Sequence, residues 1–128
     1  SSLFALNIYA AELQRSGFVT ALRGDVRNHT DHPLYQGANV YVKDTITTYE
    51  KSFVVIEFID GTRTTVRPKS VMTIEEYSDE KAELSLLTGG LRVVTGALAK
   101  TSPENYIVQT PVALMGVRGT EFSVEYVE

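Results

Sequence analysis

Hydrophobic and polar residues alternate with a period of two along most of the chain from Gly17 onward. Alternation of this kind is typical of strands with one buried face, because successive side chains of a strand point to opposite sides. It is clearest around Asp60-Gly61, where Phe53 to Ile59 leads in and Thr62 to Val66 returns. Asp-Gly tolerates the positive φ angles of a tight turn, so this stretch predicts a β-hairpin.

The same pattern recurs in short segments separated by polar, glycine-containing or proline-containing stretches. Loops or turns are predicted at residues 27–36, 77–82, 88–90 and 97–105. Further strands are predicted at residues 18–22, 39–42, 44–48, 70–75, 83–87, 91–94, 106–110, 112–115 and 120–127. About nine to eleven short strands with turn signals between them predict an all-β fold, either a sandwich, a jelly roll or a solenoid-like stack of hairpins.

The first part of the chain is predicted to be separate from this pattern. Residues 1–16 are expected to form an N-terminal extension or linker, compatible with a short amphipathic helix or an edge strand. Residues 17–128 are expected to form one β domain, because a single domain typically has about 100–200 residues.

Charge and composition exclude several classes of function. The formal net charge of −4 argues against a nucleic-acid interface and against a polybasic membrane-binding surface. The absence of cysteine removes disulfides, thiolate zinc sites and a cysteine nucleophile. No apolar run approaches the roughly 18 residues of a membrane span, so we expect no membrane insertion of this segment.

Candidate catalytic and metal-binding chemistry is sparse. The two histidines, His29 and His32, lie in one polar loop, and no G-x-S-x-G motif is present. The spacing of His29, Asp31 and His32 could offer a surface metal two imidazoles and a carboxylate, although a solvated loop is favoured. We therefore predict no enzyme activity, no catalytic residues, no cofactor and no metal.

An arginine near the C-terminus raises a choice between a structural and a binding role. Arg118 lies between two glycines in the stretch Thr110 to Tyr126, which otherwise resembles strand sequence. A buried guanidinium needs carboxylate or carbonyl partners, and Asp60 and Glu121 are the candidate acids. We expect Arg118 to make an ion pair or carbonyl bonds inside the domain; the alternative is an arginine offered to an acidic ligand.

Tyrosine is the other residue type with two possible roles. Tyrosines in strands mostly pack across to neighbouring strands, whereas an exposed row of them would suit sugar or peptide binding. The seven tyrosines are Tyr9, Tyr35, Tyr41, Tyr49, Tyr77, Tyr106 and Tyr126. The tripeptide Arg23-Gly24-Asp25 is interpreted as turn chemistry rather than as an adhesion motif.

The order of several short motifs resembles the FecR domain, the periplasmic domain of iron-dicitrate sensor proteins that also occurs in other exported bacterial proteins. The last motif, from Val108 to Val124, is the most specific, and the resemblance extends from Gly17 to Val124. The other matching segments are Gly17-Phe18-Val19, Gly24-Asp25-Val26, Gly37 to Thr48, Phe58 to Thr62, Val66 to Val71 and Leu86 to Arg92.

The resemblance implies an all-β, non-enzymatic domain that is exported to the periplasm or cell surface. In iron-dicitrate regulators an anti-sigma segment and a transmembrane helix precede this domain, and neither is in this sequence. The expectation is therefore either a domain cut out of such a regulator or one of the other exported FecR-domain proteins. The signature residues that the resemblance implies are Asp60, Gly61, Pro68, Gly89, Gly90, Arg92, Thr110, Pro111, Gly116, Arg118, Gly119, Thr120 and Phe122.

Three functions follow from these patterns. The first is signal relay or assembly at the cell envelope, with another envelope protein bound by strand addition or on a sheet face. The second is binding of a carbohydrate or cell-wall polymer, which the tyrosines and the acidic composition suggest. The third is a structural unit within a larger surface protein.

Overall fold

The computed structural model describes residues 13–127, which contain eleven strands. A short helix, α1, and a single 3-10 turn, Pro103–Asn105, separate the eighth strand from the ninth. The elements are β1 Arg15–Arg23, β2 Val26–Arg27, β3 Asn39–Tyr41, β4 Thr45–Thr48, β5 Phe53–Phe58, β6 Arg63–Val66, β7 Val71–Tyr77, β8 Ala82–Val94, α1 Ala97–Thr101, β9 Tyr106–Thr110, β10 Ala113–Gly116 and β11 Glu121–Tyr126.

The strands form one sheet that curls into a half-barrel, and β8 belongs to both of its halves. The β5 half has the order β3-β1-β5-β6-β8-β11, and the β7 half has the order β2-β4-β7-β8-β9-β10. All pairs are antiparallel except β8 with β9. The expected all-β class and the Asp60-Gly61 hairpin are confirmed, with Gly61 at φ +85°.

A bend at Gly89 lets β8 serve both halves. Gly89 has φ +99°, and a side chain there would collide with the hydroxyl of Ser70. That hydroxyl accepts the Gly90 N–H at 2.9 Å, which fixes the bend. The predicted turn at residues 88–90 is therefore wrong: the chain changes direction at the two glycines but does not reverse, and one strand runs through.

The core lies between the two halves. In β5 the residues Val54, Ile56 and Phe58 point inward and are buried, as the alternation predicts. Phe58 stacks on Tyr77 of the opposite half, with ring centroids 4.2 Å apart and planes 7° apart. Burying each such side chain stabilises the fold by about 1.5–3 kcal/mol, so these contacts hold the halves together.

An irregularity in β7 explains why Tyr77 lies in the core. Met72 and Ile74 point inward, and simple alternation would place Glu76 inward next. The pairing with β8 shifts register between Ile74 and Glu76, which turns Tyr77 inward instead. The predicted polar turn at residues 77–82 is thus wrong at both ends, because Tyr77 and Ala82 are fully buried.

The predicted loop at residues 97–105 is also wrong, since it contains α1 and the 3-10 turn. Five residues of helix are too few to show a periodic pattern. Residues 1–12, including any short helix expected there, lie outside the described residues, and the domain boundary at residue 17 stays a prediction. Within residues 13–127 no helix is long and apolar enough to cross a membrane.

Candidate partner-binding site

Asp60 ties three elements together at one end of the half-barrel. One carboxylate oxygen accepts the Thr62 N–H at 3.1 Å and the Tyr77 hydroxyl at 2.8 Å. The other accepts the Thr62 hydroxyl at 2.9 Å and the Leu98 N–H at 3.1 Å. The carboxylate therefore fixes the β5–β6 turn against both α1 and β7.

The Tyr77 hydroxyl continues this network into the core. It lies 2.7 Å from the hydroxyl of Tyr106, and both side chains are fully buried. Burial raises the pKa of both phenols above the ordinary tyrosine value, so both stay protonated at neutral pH. The network is structural and holds α1 and β9 in place beside the C-terminal segment.

Three signature residues surround the bend of β8. The Ser70 hydroxyl donates to the Pro68 carbonyl at 3.3 Å and accepts from Gly90 N–H. The Gly90 carbonyl accepts the Arg67 N–H at 3.0 Å. Gly89, Gly90 and Pro68 therefore set how β8 passes from one half to the other, which is a role in the fold.

Arg92 holds Glu121 on the outer face of the β5 half. The Arg92 Nε and Glu121 Oε1 atoms are 2.6 Å apart, and this bond lowers the pKa of the Glu121 carboxyl. Phe122, the next residue of β11, is half-buried and packs against the core. Arg92 and Phe122 therefore attach β11 to the sheet.

The ion pair or carbonyl bonds expected for Arg118 are not found among residues 13–127. Glu121 binds Arg92, and Asp60 binds the hairpin, α1 and Tyr77. Within residues 13–127 the Arg118 side chain makes no hydrogen bond or ion pair, and it is exposed. Arg118 is exposed, whereas the residue before it, Val117, is fully buried.

The backbone around Arg118 is nevertheless held on both sides. The Val117 N–H donates to the Tyr106 carbonyl at 3.0 Å. After Arg118, the buried Thr95 binds the Gly119 carbonyl through its hydroxyl at 2.8 Å and the Thr120 carbonyl through its N–H at 3.0 Å. Gly119 has φ +79°, which lets the chain turn here.

Arg118 lines an open groove beside α1, which we call the α1 groove. Its volume is about 420 Å³. The lining residues are Ala99, Lys100, Pro103, Arg118, Gly119 and Thr120. Of the described residues, two cations and no carboxylate line this groove.

Within the part of the chain that the structure describes, the strand at the end of the β7 half next to this groove, β10, has one unpaired edge. Thr110 and Pro111 turn the chain from β9 into β10, where Leu114 is 67% exposed. Because Val117 N–H bonds Tyr106, the alternation of antiparallel pairing directs the N–H and C=O groups of Leu114 and Gly116 away from β9. Among residues 13–127 these groups have no hydrogen-bond partner, so they can pair with another strand.

The other edges of the sheet are better protected. At the far ends, β2 has two residues and is bridged at Arg27 by Pro33, and β3 has three residues. The edge strand β11 carries Glu121 and Glu125. In contrast, β10 reads Ala-Leu-Met-Gly, with no charge and no proline, and Val112 beside it is 75% exposed. Charges, proline and short strands are the usual protections of an edge, so β10 is the edge most open to a partner.

The two histidines, His29 and His32, contact different partners. His29 Nδ1 is 3.1 Å from Asp44 Oδ1, whereas His32 Nδ1 is 2.6 Å from the Thr30 hydroxyl. Burial raises the pKa of the Asp44 carboxyl. Among residues 13–127 no group of three or more histidine, aspartate or glutamate side chains could hold a metal.

The structure also bears on the predictions for the tyrosines and for the Arg23-Gly24-Asp25 tripeptide. The tripeptide forms a turn, as predicted, with Gly24 at φ +77°. Cross-strand packing is confirmed for Tyr77 and Tyr106, whose rings meet edge to face with centroids 5.6 Å apart. The remaining described tyrosines are the exposed Tyr35 and Tyr49 and the half-buried Tyr41 and Tyr126; Tyr9 lies outside the described residues.

Comparison with known proteins identifies one family. The family model described as FecR protein matches residues 44–128, which is more than half of the chain. No curated protein and no solved structure matches the chain.

Proposed function

The chain belongs to the FecR family, and from this premise we propose that it is an exported domain that relays a signal or assembles through protein–protein contact at the bacterial envelope. FecR domains are regulatory, non-enzymatic and typically periplasmic. The family therefore implies a protein partner in signalling.

The free edge of β10 is the observation that carries this proposal. An added strand would take up the outward N–H and C=O groups of Leu114 and Gly116, each hydrogen bond contributing about 0.5–1.5 kcal/mol. The exposed side chains of Val112 and Leu114 add apolar contact area. Together they fit an extended protein segment better than a small molecule.

Proline at position 114 tests the edge directly. Leu114→Pro removes an N–H that points away from β9, so it blocks strand addition while leaving the β9–β10 bonds intact. A photo-crosslinking residue at position 112 in the full-length protein, expressed in the source organism, should give a defined adduct that Leu114→Pro abolishes. The control variant is Val127→Pro, which alters a similarly exposed apolar residue outside β11. An adduct that persists in Leu114→Pro contradicts strand addition at β10.

Export is tested separately by fractionation. The full-length protein should be accessible to protease added to spheroplasts and protected in intact cells if it lies in the periplasm. Protection in both preparations would contradict export.

Binding of a carbohydrate is the second candidate function. Tyr35 is 68% exposed and Tyr49 is 44% exposed, and aromatic faces of this kind can stack on sugars. Glycan-array binding that is lost in Tyr35→Ala or Tyr49→Ala supports it; no signal above background rules against it.

A further inference from the structure

We infer that the α1 groove receives an acidic side chain of the segment that pairs with β10. This inference rests on the proposed strand addition and specifies the chemistry of the partner. The partner would be a protein segment in extended conformation, with an aspartate or glutamate at its N-terminal side and an apolar residue opposite Leu114.

The first step is the state of the two cations in the groove. Three arginines of the domain pair with acids: Arg27 with Asp25 at 2.9 Å, Arg63 with Glu57 at 3.1 Å and Arg92 with Glu121 at 2.6 Å. Within residues 13–127, Arg15, Arg23 and Arg67 make no ion pair, but they do not line this groove. Within residues 13–127 neither Lys100 nor Arg118 makes an ion pair, although both line the same groove. An arginine fork and an ammonium side by side match a carboxylate, which accepts charge-assisted hydrogen bonds from both.

The second step excludes an internal carboxylate as the occupant. Glu121 follows the groove residue Thr120 directly, but its carboxylate binds Arg92 at 2.6 Å. Glu104 neighbours Pro103 in sequence but does not line the groove. The described residues therefore supply no acid to the groove, although the protein as a whole has a net charge of −4.

The third step is that the backbone presents Arg118 in a fixed position. The buried Val117 anchors the chain before it, and the buried Thr95 binds the carbonyls after it. The side chain remains free while its Cα atom is held. Such preorganisation lowers the loss of conformational entropy when a partner binds.

The fourth step connects the groove to the edge. Gly116 ends β10, and a Cβ atom placed on Gly116 would lie 3.8 Å from the carbonyl oxygen of Pro103. Pro103 lines the groove, so the groove lies at the C-terminal end of the free edge. Antiparallel pairing is the commoner kind, and an antiparallel partner would bring its N-terminal side to this end.

The spacing within the partner follows from the register. A residue opposite Leu114 and a residue level with Arg118 are about four positions apart in an antiparallel segment. The preferred segment therefore has an acidic side chain about four residues before an apolar one. A C-terminal carboxylate would lie at the other end of β10, which is why a side chain is the expected source.

The test uses a short probe peptide and the ¹⁵N-labelled 128-residue chain. The probe is an acetylated and amidated hexapeptide with glutamate first, valine fifth and threonine elsewhere; the control peptide has glutamine in place of glutamate. The glutamate peptide should shift the amide signals of Leu114, Gly116 and Gly119. It should bind more tightly than the glutamine peptide by up to about fivefold, the upper end of the range for an exposed ion pair.

Two variants with equal charge change separate the groove from general electrostatics. Arg118→Gln should remove the preference for the glutamate peptide and leave the glutamine peptide unaffected. Arg23→Gln, at an exposed arginine of β1, should change neither peptide. An equal loss in both variants would overturn the inference, because the effect would then follow net charge alone.

The outcomes distinguish this inference from the proposed function. Equal binding of both peptides, with shifts at Leu114 and Gly116, overturns the acidic preference and leaves strand addition standing. Glutamate-dependent shifts at Gly119 and Thr120 alone support the carboxylate site and argue against pairing at β10. No binding of the glutamate peptide overturns the inference.

Discussion

Replacing Tyr77 by phenylalanine should destabilise the domain far more than the same change at Tyr106. Tyr77→Phe removes the hydroxyl that donates to the Asp60 carboxylate at 2.8 Å and leaves the buried Tyr106 hydroxyl, 2.7 Å away, without its partner. The stacking of the ring on Phe58 remains. The variant therefore isolates the hydroxyl from the packing.

The size of the effect follows from the partners of each hydroxyl. A hydrogen bond to a charged group contributes about 1.5–3 kcal/mol, and a buried orphaned hydroxyl costs about 1–3 kcal/mol. Tyr77→Phe should thus lower the free energy of unfolding by about 3 kcal/mol. In Tyr106→Phe the Tyr77 hydroxyl still donates to Asp60, so the loss should be about 1 kcal/mol.

The double variant gives the sharpest test. It removes both tyrosine hydroxyls together, leaves neither of them without its partner and should lose about 2 kcal/mol, which is less than the sum of the single losses. The measurement is urea unfolding followed by circular dichroism at pH 7. The reasoning is refuted if Tyr106→Phe is as harmful as Tyr77→Phe, or if the two losses add.

Three further predictions concern the bend, alkaline pH and acidic pH. Gly89→Ala should lower the free energy of unfolding by at least about 2 kcal/mol, because it combines a positive φ with a collision at Ser70; Gly37→Ala, with φ +90° and open space, should lose only about 1 kcal/mol. The two buried phenols have raised pKa values in the folded protein, so above the ordinary tyrosine pKa they lose their protons in the unfolded chain but keep them in the folded one. The free energy of unfolding should therefore fall by up to about 1.4 kcal/mol per pH unit for each phenol. Both phenylalanine variants should flatten this fall in urea titrations between pH 9 and pH 11, roughly the range where tyrosine titrates. The lowered pKa of Glu121 gives stability that is present above its unfolded pKa and is lost as pH falls through its folded pKa; Glu121→Gln should remove this acidic dependence, and an unchanged slope would argue against the Arg92 bond.

Alternation was sufficient to predict most strands, because one buried face and one exposed face leave a direct mark on the sequence. It predicted β5, β6 and their Asp60-Gly61 turn to within a residue. It failed at Gly89-Gly90, since two glycines indicate a change of direction without showing whether the chain reverses.

The buried network was not predictable from the same pattern. The register shift between Ile74 and Glu76 depends on pairing with β8, which lies later in the chain. Only this shift brings Tyr77 to Asp60 and Tyr106. One local signal was available, because Gly96 precedes α1 and a side chain there would collide with the Asp60 turn.

The exposed position of Arg118 leads to a last prediction, which is opposite to what internal bonds of Arg118, expected from the sequence, would imply. Arg118 is exposed next to the fully buried Val117, and within residues 13–127 its side chain makes no hydrogen bond or ion pair. Arg118→Ala should therefore change the free energy of unfolding by no more than about 0.5 kcal/mol, as at other exposed sites. Val117→Ala removes a fully buried side chain and should lose about 2 kcal/mol in the same urea titration. If Arg118→Ala proves as harmful as Val117→Ala, Arg118 bonds within the domain, and the α1 groove keeps only Lys100 for a carboxylate.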